Sequence, residues 1–139
     1  MKKVAIEQLI PQRSPILMVD ELLQAETGKA ITSLTVKDDN CFIDSDGCLA
    51  ETGLIEHIAQ SASAFAGYKA IGTGVDAPPV GYIGEVKKFH CYFRPRLGDQ
   101  LLTAITIIAE AEGVTLIAGK TCVNDRIAAE TQMKIYIKE

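Results

Sequence analysis

Four polar or small residues recur at helical spacing in one stretch of the chain. Glu56, Gln60, Ser63 and Gly67 stand at i, i+4, i+7 and i+11, and on a helical wheel they fall within about 60° of one another. If the rest of this helix is buried, the Glu56 carboxyl lies at the edge of the core or inside it, where burial disfavours the ionised form. Glu56 is therefore a candidate general acid or base. A Glu and a Gln are equally typical of a helix start, where acids interact favourably with the helix dipole.

The two histidines are weaker candidates for proton transfer. His57 follows Glu56 by one residue, so it points about 100° away from the polar stripe of a helix with 3.6 residues per turn. His90 lies in a predicted strand. Both positions favour a histidine that is hydrogen-bonded or partly exposed.

A basic cluster lies around the end of a predicted strand and the turn that follows it. Its members are Lys87, Lys88, Arg94 and Arg96. On a chain with a net charge of −4, such a cluster can dock an acidic partner or a phosphate group. Charged strand ends also serve as solvated faces that protect a sheet edge from mispairing.

Length and composition restrict the class of protein. The 139 residues match one domain of usual size, and we predict a single domain over residues 1–139. Hydrophobic residues make up 47% and charged residues 23%, as in globular proteins, and the negative net charge argues against nucleic-acid binding. No segment has the apolar length of a signal peptide or a membrane span, so we expect a soluble, cytoplasmic protein. The four cysteines form no C-x-x-C pair, so we expect no metal site.

One long helix and about six strands must position the polar stripe. We predict a short helix at 4–10, strands at 16–25 and 29–36, the long helix at 53–70, and strands at 80–93, 100–110, 114–123 and 127–137. Residues 72–79, with two glycines and two prolines, form the connection after the long helix. Short turns between strands imply antiparallel neighbours, and the many small residues of the long helix predict that the sheet encloses it. The fold class is therefore α+β, with one antiparallel sheet wrapped around a helix.

Three segments of the chain resemble the β-hydroxyacyl-ACP dehydratases of the FabZ type. They occur in the family's order and read LIPQRSPILMVD at 9–20, EHIAQ at 56–60 and FRPRLGDQL at 93–101. The resemblance implies the hotdog fold and a dimer whose active sites lie at the interface, with a histidine from one subunit and the helix glutamate from the other. It implies that Glu56 is the acid, that Phe42, Gly53 and Gln60 contact substrate, and that the basic cluster docks acyl carrier protein. It implies no cofactor, because the substrate arrives on phosphopantetheine or as a CoA thioester.

The chain departs from the family where the family carries its catalytic histidine. The family's His-Phe-Pro-Gly element is replaced by NCFID at 40–44, and Gln12 replaces the histidine of the first motif. In this the chain resembles the divergent hotdog dehydratases of aryl polyene and polyketide-like clusters. Either Asp44 or another local group supplies the base, or the chain forms a heterodimer with a histidine-bearing paralogue and contributes Glu56 to a shared site. Two further alternatives are a hotdog thioesterase in which Glu56 activates water, and a non-catalytic subunit that binds acyl thioesters.

Overall fold

The fold consists of one antiparallel sheet wrapped around one helix. The structure is a computed structural model that describes residues 2–74 and 80–138. After a 3-10 turn at Ile6–Gln8, the elements are β1 (Glu21–Glu26), β2 (Lys29–Thr35), α1 (Glu51–Gly72), β3 (Val80–Cys91), β4 (Gln100–Ala111), β5 (Val114–Val123) and β6 (Arg126–Lys138). The six strands pair in the order β1-β2-β4-β5-β6-β3, so β1 and β3 are the edges. This is the hotdog arrangement, and it confirms the predicted fold class. The predicted connection falls partly outside the described residues, at 75–79.

The sheet encloses α1 as its small residues predict. The helix contacts all six strands, and Leu54, Ile58 and Ala64 are fully buried. Leu54, in the first turn of α1, packs in one hydrophobic cluster, whereas Ile58, Ala62 and Phe65 farther along the helix pack in a second. A helix that a sheet encloses can expose a polar side chain to a ligand only where the sheet leaves a gap. This geometry decides where a site can be.

Two predictions at the amino-terminal end are wrong. The helix predicted at 4–10 is reduced to the single 3-10 turn, because so short a helix is marginal by itself and its last residues are buried. The strand predicted at 16–25 begins only at Glu21. Residues 16–18 do not join the sheet, because side chains of α1 take up the backbone groups of Ile16 and Met18. We call residues 11–18 the strap.

A buried polar chain connects the strap, α1 and the sheet through His57. Nδ1 of His57 donates to the carbonyl oxygen of Met18 at 2.6 Å, and Nε2 accepts from the hydroxyl of Thr103 at 2.7 Å. Thr121 in turn donates to Thr103 at 2.7 Å. Both ring nitrogens are satisfied in the neutral form, and burial lowers the pKa of His57 from 6.5 to about 4. The prediction that this histidine is hydrogen-bonded is confirmed.

Two negative findings hold for the described residues. No helix within residues 2–74 and 80–138 has both the length and the apolar character needed to cross a bilayer. In the same ranges, no three His, Cys, Asp or Glu side chains come together as metal ligands. The four cysteines are free thiols, with Cys41 exposed and the other three half-buried.

Gly67 allows the closest approach between α1 and the amino-terminal segment. A Cβ at this position would lie 2.0 Å from the carbonyl oxygen of Leu9, which is backbone and cannot move aside easily. We expect Gly67→Ala to lower the free energy of unfolding by about 1–3 kcal/mol. Gly72→Ala, at the end of the same helix with no atom within 4 Å, should leave it unchanged or raise it by up to about 1 kcal/mol. Urea unfolding measures both, and equal effects of the two substitutions would contradict this packing.

The neutral, buried His57 makes stability depend on pH. Its pKa is lower in the folded state, so the unfolded chain binds the proton more readily, and stability falls as pH decreases from about 6.5 to about 4. The loss from this group is on the order of 3 kcal/mol. Urea unfolding at a series of pH values should show a smaller acid loss in His57→Asn than in the wild type. An NMR titration in which the His57 ring protonates near pH 6.5 would contradict the prediction.

Candidate active site

The polar stripe predicted on α1 opens into one cavity. Glu56, Gln60 and Ser63 line a space of about 200 Å³ together with Gln12, Ala59, Gly81, Tyr82, Ile83 and Ile135. The fourth member of the stripe, Gly67, packs against the backbone of Leu9 instead. Three elements therefore form the cavity, which are the strap, α1 and the end of the sheet that carries β3 and β6.

Gln60 holds the Glu56 carboxyl in one orientation. The backbone N–H of Met18 donates to Gln60 Oε1 at 2.6 Å, which fixes the amide with its nitrogen on the opposite side. Gln60 Nε2 then donates to the carbonyl oxygen of Ile16 at 2.9 Å and to Glu56 Oε1 at 2.8 Å. Since Oε1 of Glu56 is taken, Oε2 is the atom available to a reacting group. A half-buried carboxyl positioned in this way can exchange a proton with a ligand in the cavity.

The strap supplies the wall of the cavity opposite α1. Arg13 organises it, because its guanidinium donates to the carbonyl oxygens of Glu7, Ile10 and Gln12 at 2.8–2.9 Å. The neighbouring Gln12 side chain lines the cavity, and its Oε1 is buried without a hydrogen-bond partner among the described residues. The strap therefore adds a neutral amide side chain to the lining of the cavity.

The third wall lies at an edge of the sheet. Gly81, Tyr82 and Ile83 belong to β3, which has a neighbour on one side only. Tyr82 is 54% exposed and Ile83 is 39% exposed. An edge strand with unpaired backbone groups and exposed apolar side chains is a surface on which another chain can pair.

Neither histidine of the chain reaches this cavity. His57 is sealed in the core with both ring nitrogens bonded. His90 lies on the outer face of the sheet, where it lines a separate groove with Lys29 and Lys88. Among the described residues that line the cavity, Glu56 and Tyr82 are the only titratable side chains. The site as described holds one carboxyl and no imidazole.

Asp44 is engaged elsewhere. Its carboxylate forms an ion pair with Arg94 and accepts the backbone N–H groups of Asp46 and Cys48 at 2.9 and 3.3 Å. The Arg94 guanidinium, by hydrogen bonding to it, lowers the pKa of this carboxyl, and a lowered pKa makes a weak base. Asp44 is also absent from the residues that line the Glu56 cavity. Its role as catalytic base stays a prediction without support from this geometry.

Phe42 and Gly53 lie against each other at the start of α1. A Cβ on Gly53 would approach the Cβ of Phe42 to 2.7 Å, and the Gly53 N–H already donates to Ala50 at 2.9 Å. Neither residue lines the Glu56 cavity. Their predicted substrate contacts therefore stay a prediction. The predicted substrate contact of Gln60 stays a prediction as well, although this residue lines the cavity beside Glu56.

The basic cluster divides between two surfaces. A bulge in β3 lies between Lys87 and His90 and turns Lys88, with a φ of 51°, to the outer groove that it shares with Lys29 and Lys120. Arg94 is bound to Asp44 and Asp46. Arg96 is exposed beside the loop that leads into α1. Its backbone forms an isolated antiparallel β-bridge with that of Cys48. Docking by all four residues as one patch stays a prediction.

Among the residues of the cavity that sequence reasoning missed, Gln12 and Tyr82 carry polar side chains. Gln12 carried a signal, because it departs from the family's first motif, but nothing in the sequence placed the strap over α1. Tyr82 carried no such signal. Successive side chains of a strand point to opposite faces of the sheet, but one tyrosine does not indicate what packs against its face. Both reach the cavity through contacts between segments far apart in the chain.

The chain is similar to several known proteins. The chain is 29% identical to the 3-hydroxyacyl-(acyl-carrier-protein) dehydratase FabZ of Haemophilus ducreyi, over 92% of this chain and 85% of the relative. It is 30% identical to the protein of the same description from a Janthinobacterium species, with the same coverage. A Streptococcus mutans protein bound to acetyl CoA has a TM-score of 0.65 at 14% identity, over 84% of this chain and 86% of that one.

A further similar structure has a much closer backbone. A chain of the dehydratase heterocomplex ApeI:P from Xenorhabdus doucetiae has a TM-score of 0.91 at 15% identity, over 99% of this chain and 93% of that chain. The family model described as ApeP-like, ApeP dehydratase, matches residues 4–139. The fold, the glutamate-bearing stripe and this match together show that the chain belongs to the family of ApeP-like dehydratases.

Proposed function

We propose that this protein takes part in the dehydration of 3-hydroxyacyl thioesters carried on acyl carrier protein, as the subunit that contributes Glu56 to a site shared with a histidine-bearing hotdog subunit. The observation that carries the proposal is the composition of the cavity. It holds one oriented carboxyl, and neither histidine of the chain reaches it. The relatives named FabZ are dehydratases of 3-hydroxyacyl carrier-protein thioesters, and one similar structure is a dehydratase heterocomplex.

The elimination needs two proton transfers on one substrate. A base removes the proton from the carbon next to the thioester, and that electron pair forms the new carbon–carbon double bond as the β-carbon–oxygen bond breaks. An acid protonates the departing hydroxyl, which leaves as water. Glu56 in its protonated form fits the acid role, because Gln60 occupies Oε1 and leaves Oε2 to carry the proton toward the substrate. No electron transfer occurs, so the reaction requires no redox cofactor.

The missing base must come from a chain that meets this one beside the cavity. The cavity is lined by β3, and β3 is an edge with exposed apolar side chains. We propose that the partner's corresponding edge pairs with β3 and extends the sheet, which brings the partner's histidine across the interface to the cavity. Since the partner covers Tyr82 and Ile83, the same contact excludes water from Glu56.

The acyl group reaches the cavity on the phosphopantetheine arm of the acidic carrier. Of the four basic residues predicted to dock it, Arg96 is exposed beside the loop that leads into α1, whereas Lys88 faces the outer groove. Arg94 is occupied by two carboxylates, and the half-buried Lys87 pairs with Glu85 at 3.5 Å. We therefore propose Arg96 as the main docking charge of this set.

Glu56→Gln tests the proposed acid directly. In the complex with a histidine-bearing hotdog subunit, we expect this substitution to lower kcat for 3-hydroxyacyl carrier-protein substrates by about 10²–10⁴-fold, since the amide cannot donate a proton of comparable acidity. Complex formation should be unchanged. The measurement is formation of the enoyl thioester, together with the mass of the complex by analytical ultracentrifugation.

Glu51→Gln provides the matched control, because Glu51 is exposed on the first turn of the same helix and does not line the cavity. It should keep the wild-type rate. A Glu56→Gln complex with wild-type activity would exclude the acid role. Release of a free acid in place of the enoyl thioester would identify a thioesterase, and full activity of this chain alone would exclude the shared site.

Charge reversal distinguishes the two basic surfaces. We expect Arg96→Glu to weaken binding of the acyl carrier protein and to reduce its dependence on salt, while Lys88→Glu, with the same change in charge, has the smaller effect. Isothermal titration at two salt concentrations measures both. If Lys88→Glu weakens binding as much as Arg96→Glu, the carrier docks on the outer face or senses only net charge, and the assignment to Arg96 fails.

A further inference from the structure

A second cavity, of about 210 Å³, lies between the carboxy-terminal half of α1 and strands β4, β5 and β6. We call it the distal cavity. Native cores are close-packed and leave few voids larger than a water molecule, and apolar cavities that remain stay dry and bind small apolar molecules. The distal cavity can therefore hold part of a hydrocarbon chain. Its apolar lining includes Ala62, Phe65, Ala66, Ile105, Ile117 and Ile135.

An ion pair lies at the rim of the distal cavity. The Nζ atom of Lys69 is 3.5 Å from a carboxylate oxygen of Glu110 and 4.5 Å from the centre of the Phe65 ring. Both charged side chains are exposed, and both belong to the lining. The distal cavity therefore presents charged groups to solvent and apolar side chains to the interior of the fold.

Ile135 separates the distal cavity from the cavity that holds Glu56. Among the described residues, it is the only one that lines both. Its neighbour on β3 is Ile83, which lines the Glu56 cavity, and its neighbour on β5 is Thr115, which lines the distal cavity. The two cavities therefore meet on either side of β6, where one side chain lies between them.

The helix borders both cavities with small residues. Ala59 and Ser63 line the Glu56 cavity, whereas Ala62 and Ala66 line the distal cavity. Residues three apart are neighbours on a helix surface, so the boundary between the cavities runs between these two pairs. The helix presents only small side chains there, and the large side chain that borders the same two cavities is Ile135.

We propose that Ile135 determines the longest acyl chain that the site accepts, because it closes the Glu56 cavity against the distal cavity. This inference rests on the proposed function and names a residue that selects among its substrates. The carrier's arm enters from outside, so the end of the acyl chain points to the deepest part of the lining. Of the apolar side chains that line the Glu56 cavity, Ile135 is the most buried, with 2% exposed. An acyl chain that reaches Ile135 ends there, and the distal cavity behind it stays empty.

The contribution of Ile135 to selectivity follows from the burial of methylene groups. Each methylene that moves from water into apolar surroundings strengthens binding about fourfold. A chain up to the limiting length gains this factor with every carbon. A longer chain must leave methylenes outside the apolar lining or displace a buried side chain, and overpacking a core is itself unfavourable. Without the Ile135 side chain, the added methylenes can enter the distal cavity.

Truncation of Ile135 tests the proposal in the complex with the histidine-bearing subunit. The measurement is kcat/KM for a series of 3-hydroxyacyl carrier-protein substrates that differ by two carbons. We expect kcat/KM of the wild type to fall by about tenfold or more beyond one chain length. Ile135→Ala should move this limit to longer chains by at least one step of the series. Ile117→Ala is the matched control, because Ile117 is equally buried and lines only the distal cavity, and it should leave the limit unchanged.

Two further variants separate the role of Ile135 from a merely structural one. Ala66→Leu, added to Ile135→Ala, fills the distal cavity from the helix side and should return the limit to the wild-type length. If Ile135→Ala does not fold, Ile135→Val, which removes a single methyl group and which cores tolerate better, should shift the limit in the same direction by a smaller amount.

Three results would overturn the assignment to Ile135. They are an unchanged limit in the folded Ile135 variants, an equal shift in Ile117→Ala, and a wild type that shows no limit within the series. If Glu56→Gln abolishes turnover while Ile135→Ala leaves the limit unchanged, the dehydratase function stands and the inference on Ile135 alone fails. If no substrate of the series yields an enoyl thioester, the proposed function fails and this inference fails with it.

Discussion

The geometry of the site depends on how α1 binds the backbone of one residue, Met18. Gln60 accepts its N–H and His57 donates to its carbonyl oxygen, both at 2.6 Å. These two bonds replace the strand pairing that the segment would otherwise make and hold the strap across the helix. They also determine which way the Gln60 amide faces, and hence that its nitrogen donates to Glu56 at 2.8 Å. Because all of these groups are buried, each unmade bond would carry a desolvation penalty.

This constraint explains why His57, next to the proposed acid Glu56, has no part in the proposed chemistry. A histidine that bonds at both nitrogens and has a pKa of about 4 is a neutral structural group at ordinary pH. It acts on the site only through Met18 and Gln60. The carboxyl that remains available to a ligand belongs to Glu56, one residue earlier on the helix but on the face that the sheet leaves uncovered.

The sequence predicted the helices and strands better than the contacts between them. Period-2 patterns and turn glycines identified the six strands, and the small residues of the long helix predicted its enclosure, because these signals are local. The strand order is set by pairings between distant segments, and no local pattern encodes it. For the same reason the sequence does not predict the ion pair between Asp44 and Arg94, which lie fifty residues apart. Without that pair, Asp44 is a candidate for the catalytic base. The bulge at Lys88 likewise divides a cluster that is contiguous in sequence.

The residues that line the cavity relate the fold to the proposed dehydration. An edge strand and a single oriented carboxyl make up the proposed half of a dehydratase site, and neither histidine of the chain lines the cavity. The most direct test is a crystal structure of this chain bound to its histidine-bearing partner with a substrate analogue. We expect a partner imidazole at the α-carbon of the analogue, across from Glu56. A complex that leaves β3 unpaired, or holds no imidazole at the cavity, would contradict it.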